Sequence, residues 1–164
     1  LTSNFINSSK DEVNDLIVKN IFQADEVSLK VFFSDRTIDF SIKSKMLNSL
    51  ADSDFMRLFN PKLNFDNRKN LKISGISKNA DFFYKSNIFK FDDSVNFEGT
   101  LDNTKFNGII GKLEINLSEN TAKVSEDLKL FFKDQIYSAD SILVDLSERR
   151  ILKSTNVKYE TIND

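Results

Sequence analysis

A chain of 164 residues with a net charge of −2, 40% hydrophobic content, sixteen Phe, no Trp, no His and no Cys is long enough for one domain with a substantial core. Without His or Cys it lacks the ordinary proton shuttle at neutral pH, the thiolate nucleophile and the usual ligands of transition metals, so catalysis has only carboxylates, Lys, Tyr and hydroxyls to draw on. The slightly acidic balance gives no electrostatic footprint for nucleic acid or an anionic membrane, and the lack of thiols leaves the redox compartment open.

The opening twenty residues, LTSNFINSSKDEVNDLIVKN, are polar apart from Val13, Leu16 and Ile17 at helical spacing, and read as a linker ahead of one domain over 21–164. No stretch approaches the roughly 18 to 20 apolar residues of a membrane span. A chain that opens on Leu1 rather than Met leaves room for a leader or anchor upstream. From residue 21 the apolar period becomes two: Val27, Leu29 and Val31, then Ile38, Phe40 and Ile42, predict the first two strands. The following KMLNSLADSDFMRLF, with Met46, Leu47, Leu50, Phe55, Met56, Leu58 and Phe59, has the spacing of a helix.

Beyond Pro61 strand signals run almost without pause, through Leu63 and Phe65, Leu71 and Ile73, Phe82 and Tyr84, Phe89 and Phe91, and Val95 and Phe97. They continue through Leu113, Ile115 and Leu117, Ala122 and Val124, Leu128, Leu130 and Phe132, Ile142, Val144 and Leu146, and Val157 and Tyr159. Short polar punctuators such as DNRKN, KSN, LDNTK, SEN, SED and SERR separate them, which predicts an all-β, antiparallel chain. A repeat lies beneath the strands. ADFFYKSNIFKF, GKLEINLSENTAKV and ADSILVDLSERRIL each lead into a second short strand, SVNFEG, DLKLFFK and NVKYE. The period of roughly thirty residues is that of units which bury their apolar face only by stacking on neighbours.

The succession LFNPKLNF, NLKISGISKNADFFYKSNIFKFDDSVNFEG, GKLEINLSENTAKV and YSADSILVDLSERRILKSTNVKYE resembles the LptC family of lipopolysaccharide-export proteins over residues 38–160. It is also similar to the related LptA, or OstA-like, domain, which shares the repeat; NPKLNF ahead of the repeats suits LptC better. The resemblance implies an open, V-shaped antiparallel β-jelly roll that holds lipid acyl chains, faces the periplasm and is tethered to the inner membrane by an N-terminal helix that this chain lacks. It implies lipopolysaccharide as cargo, the β-domain of an ABC transporter as donor and an LptA-like bridge protein as acceptor, with no cofactor and no catalysis.

Splayed sheets leave an apolar trough that needs cover, whereas closed ones make an ordinary core. At about 0.8 kcal/mol per methylene, a twelve-carbon chain in water costs about 9 kcal/mol, so a carrier must supply a continuous apolar lining. Phe supplies it without a donor in need of a partner. One pleat face of the repeats gives the candidates: Phe40, Ile42, Phe65, Ile73, Phe82, Tyr84, Phe97, Ile115, Val124, Leu130, Phe132, Ile142 and Val144. Each is equally an ordinary core position, and the sequence does not separate the two roles. Edge strands carry the second candidate role. NVKYE, with Val157 and Tyr159, has one Lys and no Pro to block pairing, and ADEVSLKVFF, with Val27, Leu29 and Val31, is the candidate edge at the other end.

Other signals are weaker. Asp92 with Asp93 and Glu126 with Asp127 are sequence neighbours, and strand neighbours point to opposite faces, so both pairs read as solvated turn residues rather than a glycosidase couple. Gly108 and Gly111 lack the Lys and the helix of a phosphate loop. Asn7 and Asn116 open glycosylation sequons, and Lys43, Lys45 and Lys112 read as solubilising charges. Two further readings stand beside the carrier: a structural β-module that polymerises through its edges, and a carboxylate-based polysaccharide hydrolase.

Overall fold

The computed structural model describes residues 20–32, 39–50 and 52–162. Residues 1–19 of the expected linker and Ile38 therefore lie outside the described residues, while Asn20 already belongs to the first strand. The fold is all-β and antiparallel, as the punctuated period-two pattern requires. The described residues form fourteen strands, β1 (Asn20–Phe32), β2 (Asp39–Leu50), β3 (Phe55–Phe59), β4 (Lys62–Asp66), β5 (Leu71–Ile76), β6 (Asn79–Phe83) and β7 (Ile88–Phe91), followed by β8 (Val95–Leu101), β9 (Thr104–Ile110), β10 (Lys112–Asn116), β11 (Thr121–Phe132), β12 (Gln135–Asp145), β13 (Arg150–Thr155) and β14 (Lys158–Thr161). Among the described residues no helix is long and apolar enough to cross a membrane.

Hydrogen bonding links β10, β7, β6, β3, β2, β4, β5, β8, β9 and β11 in that order, and β10 also pairs β11. β1 continues the sheet beside β2, and β12 beside β11. β13 and β14 lie end to end along the far side of β12: β13 pairs its residues 141–145 and β14 its residues 135–138.

Corners in the four long strands divide this sheet into two facing halves. In β2 the buried residues step from Ser44 to Leu47 with two outward residues between them, and in β1 from Val27 to Ala24 across Asp25 and Glu26. In β11, Glu126 and Asp127 both oppose Asp140 of β12, a bulge with both residues in the left-handed region. Short connections cross at the same level: Asn60–Pro61, Ser77–Lys78, Asp92–Ser94 and Gly111. Gly111 is needed there, since its N–H donates to the Glu126 carbonyl at 2.7 Å and a Cβ would stand 2.3 Å from that oxygen. Ser44, buried at the β2 corner, places its hydroxyl 2.8 Å from the Met46 carbonyl and 2.7 Å from that of Phe59.

The segment read as a helix is the second arm of β2 and β3. Its apolar spacing is that of a corner: Met46 and Leu47 are adjacent because the inward face changes parity there, and Leu47 then pairs Leu58 across the sheet. Glu126 and Asp127 form the bulge rather than a turn. Two strands lacked a sequence signal of their own. β9 is diluted by Asn107 and Gly108, and β13 shares the single run ADSILVDLSERRIL with the end of β12.

Outward side chains fix the register. Across β3, β6, β7, β10 and β11 the directly opposed outward residues are Arg57, Asp81, Lys90, Glu114 and Lys123, a row of alternating sign. Arg57 and Asp81 form a two-pronged ion pair of 2.8 and 3.0 Å, which raises the Arg57 pKa further, and Lys90 approaches Glu114 at 3.7 Å. Turns use left-handed residues at Arg68, Asn87, Asp102, Asn103, Asn120 and Arg149. Buried Asn67 organises the β4–β5 turn, its carbonyl oxygen accepting the N–H groups of Lys69, Asn70 and Leu71.

Candidate functional site

The inward faces of the two halves form one apolar interior, and its closure changes along the molecule. Near β1 to β8 it is sealed. Val27, Ile42, Leu58, Pro61, Phe89, Phe91 and Val95 are essentially inaccessible, and residues of both halves share one cluster. Toward the C-terminus it opens. In β11 to β14 the only buried hydrophobic residues are Ala122 and Ala139, while Leu128, Leu130, Phe132, Tyr137, Ile142 and Val144 are half-buried. At the last rung Ile151, opposed to inward Val144 in one half, is 62% exposed, and Tyr159, opposed to inward Tyr137 in the other, is 70% exposed. Ile42 and Leu58, which occupy equivalent inward positions in the sealed part, are 0% exposed. An apolar residue on an inward face that remains in water has nothing across from it.

The wall made by β5, β8, β9 and β11 is flattened by glycine. Phe97 opposes Gly108, and Phe106 opposes Gly99. A Cβ on Gly108 would stand 2.4 Å from the Phe97 ring, and one on Gly99 2.6 Å from that of Phe106, so each ring lies down over its partner's bare backbone. Rings laid against their own sheet project less into the space between the halves. The aromatic strip continues from Phe97 to Phe106 at 6.3 Å between centroids and on to Phe132 at 6.5 Å, with a Tyr137–Tyr159 pair at 6.4 Å farther along the same half. On the facing wall Phe82 and Phe89 stack at 4.4 Å.

The expected lining residues separate into groups. Phe40, Ile42 and Ile115 are buried in the sealed cluster, with Phe65, Phe82 and Val124 packed against it and Ile73 half-buried on the same wall as Phe65. Phe97, Leu130, Phe132, Ile142 and Val144 are half-buried inward residues toward the opening end. Tyr84 lies beyond β6 in a turn, 39% exposed, its hydroxyl donating to the Ser53 carbonyl at 3.4 Å. Phe106, Leu128, Tyr137 and Ile151 also face inward; the Phe132–Phe106 pairing of β11 with the unrecognised strand β9 is what reveals the first of them. Of the edge residues, Val27 is buried and Leu29 and Val31 pack on the core, so β1 offers backbone rather than these side chains. Val157 and Tyr159 are exposed.

Charged groups stay on the outer faces. Lys43 and Lys45 are exposed, and Lys112 forms a 2.9 Å ion pair with Glu126 that raises its pKa. Asp92 and Asp93 are exposed in the β7–β8 connection. Among the described residues no three acidic groups converge to hold a metal ion. The inward residues described above offer apolar contact and shape, together with the hydroxyls of Tyr137 and Tyr159. No protein-family model matches the chain, and no curated protein matches it either.

Proposed function

We propose that this chain is a lipid carrier of the LptC type, a periplasmic bridge component that takes lipopolysaccharide from an ABC transporter and passes it to a second β-jelly roll. The observation that carries the reading is the graded interior: inward Ile151 and Tyr159 stand 62% and 70% exposed at one end, while Ile42 and Leu58 are sealed at the other. Acyl chains laid between the half-buried walls replace water there, each buried methylene contributing about 0.8 kcal/mol. The sealed end gives the walls a rigid base, and the flattened Phe97 and Phe106 leave width between them. The half-buried positions are the informative sites for a test, because Ile115, at 3% exposure, has little surface to offer a ligand. A photo-crosslinking residue at Leu130 or Val144 is expected to capture lipopolysaccharide, and one at outward Lys123 is not. Folded protein that gives no adduct from either inward position refutes the carrier reading.

A second reading, a β-module that assembles edge to edge, rests on β13 and β14, whose six and four residues are all exposed and include Ile151, Leu152 and Tyr159, with exposed Val157 between the two strands. It requires filaments that grow with protein concentration in the absence of lipid, which light scattering detects.

A further inference from the structure

The outer face of the half opposite the charge row carries a groove of about 580 Å³ across β2, β4, β5, β8 and β9. A smaller hollow of about 380 Å³ continues from it, sharing Ser74, Glu98 and Asn107. Its origin is a register row: Ser41, Asn64, Ser74, Glu98 and Asn107 oppose one another strand by strand, and the next residue in the row is Phe131, 37% exposed. Short side chains on successive strands leave a furrow between rows of longer ones. We infer that this furrow is a binding site for a neutral oligosaccharide.

Three features specify that ligand. Among the described residues the side chains of Ser41, Asn64, Ser74, Glu98 and Asn107 have no hydrogen-bond or ion-pair partner, in contrast to the matched row on the other half, so their donors and acceptors are available in line. The charges along the wall cancel. Across the two hollows Asp39, Asp66 and Glu98 stand with Lys62, Lys72 and Lys105, Asp39 also being bound by Arg68 at 2.7 Å and Asp66 lying 4.0 Å from Lys72, so neither an anion nor a cation is favoured. Strands lie about 4.8 Å apart, close to the advance of one sugar ring along an extended chain, which lets successive rings meet successive amide or carboxylate groups. The carbon stems of Lys72 and Lys105 and the ring of Phe131 suit the C–H faces that such rings present. The furrow lies on the opposite side of the sheet from the apolar interior, so it stands independently of the lipid reading.

The test is an amide-shift titration of the isotope-labelled chain with neutral tri- and tetrasaccharides of glucose, galactose, mannose and N-acetylglucosamine at millimolar concentration, with oligogalacturonate as the anionic control. At least one neutral probe is expected to shift the amides of residues 64, 74, 98 and 107. Removing two amides with Asn64→Ala and Asn107→Ala is expected to weaken that probe by about tenfold or more, and Ser74→Tyr, which fills the furrow, to abolish its binding. The inference is overturned if no neutral probe shifts these amides, if only oligogalacturonate does, or if affinity survives the substitutions. Should Ser74→Tyr lose its fold, the paired alanine variant decides.

Discussion

Leu58→Ala and Leu130→Ala remove the same three carbons from inward positions on the two halves, and the graded interior makes their costs differ. Leu58 is 0% exposed within the sealed cluster, where neighbours are held by strands on both sides. Lost transfer is about 2.4 kcal/mol at 0.8 per carbon, and an enclosed void raises the total to about 3–4 kcal/mol. Leu130 is half-buried, opposite bare Gly108 on one side and half-buried Tyr137 on the other. Roughly half the transfer term applies and solvent fills the space, which gives about 1 kcal/mol. Urea unfolding followed by far-ultraviolet circular dichroism reads both values, with the slope expected to stay unchanged. Lipopolysaccharide at a hundredfold excess over its Kd is expected to add about 2.7 kcal/mol to the wild type. It is expected to add much less to Leu130→Gln. If Leu130→Ala costs as much as Leu58→Ala, the C-terminal part is a closed core and the reasoning from its exposure fails.

Gly108→Ala would place a methyl 2.2 Å from the Lys129 carbonyl oxygen and 2.4 Å from the Phe97 ring, and is expected to destabilise by about 1–3 kcal/mol; a melting temperature within a degree of wild type contradicts the close approach. Lys90→Glu sets a third acid between Asp81 and Glu114 and is expected to cost about 1 kcal/mol, part of it recovered in high salt; a loss insensitive to salt would mean that the row is not electrostatic. Asp39 is held below its ordinary value of 3.8 by the ion pair with Arg68, and Asp145 by the Glu148 N–H and the Ser147 hydroxyl. Because both are lowered in the folded chain, their stabilisation is complete above about pH 3.8 and is lost as pH falls through the lowered values. Combining Asp39→Asn with Asp145→Ala is therefore expected to flatten the acid limb of stability against pH, and an unchanged limb removes these two carboxylates from the account.

Strand identity was legible wherever one face stayed inward along the whole strand, as in Leu113 and Ile115 or Phe89 and Phe91. It failed at the corners. β2 changes parity as it crosses between halves, so its inward residues Ser44 and Leu47 stand three apart, and Phe55, on the outer face of β3 beneath Arg57, adds an apolar residue three before inward Leu58. β9 was hidden because its Gly108 receives the Phe97 ring from the neighbouring strand, and a receiving position carries no apolar signal. The candidate lining list followed the inward pleat closely, but periodicity reports direction and not how well the opposite wall closes. Ile42 and Val144 look alike in sequence; three-dimensional neighbours alone separate a sealed position from a half-open one. The furrow on the outer face was likewise invisible, since Ser41, Asn64, Ser74, Glu98 and Asn107 come together only through register.

The corners have a mechanical consequence. Four strands pass from one half to the other without interruption, and beyond each corner an arm of about five residues extends about 17 Å. A flexure of ten degrees at such a pivot carries the arm's tip by about 3 Å, on the order of an alkyl chain's radius, while the ladders on either side keep their hydrogen bonds. Glu26, Glu126 and Asp127, already in left-handed backbone at these corners, are where such a flexure would be absorbed, as the spring of a pair of tongs takes up the movement of its jaws.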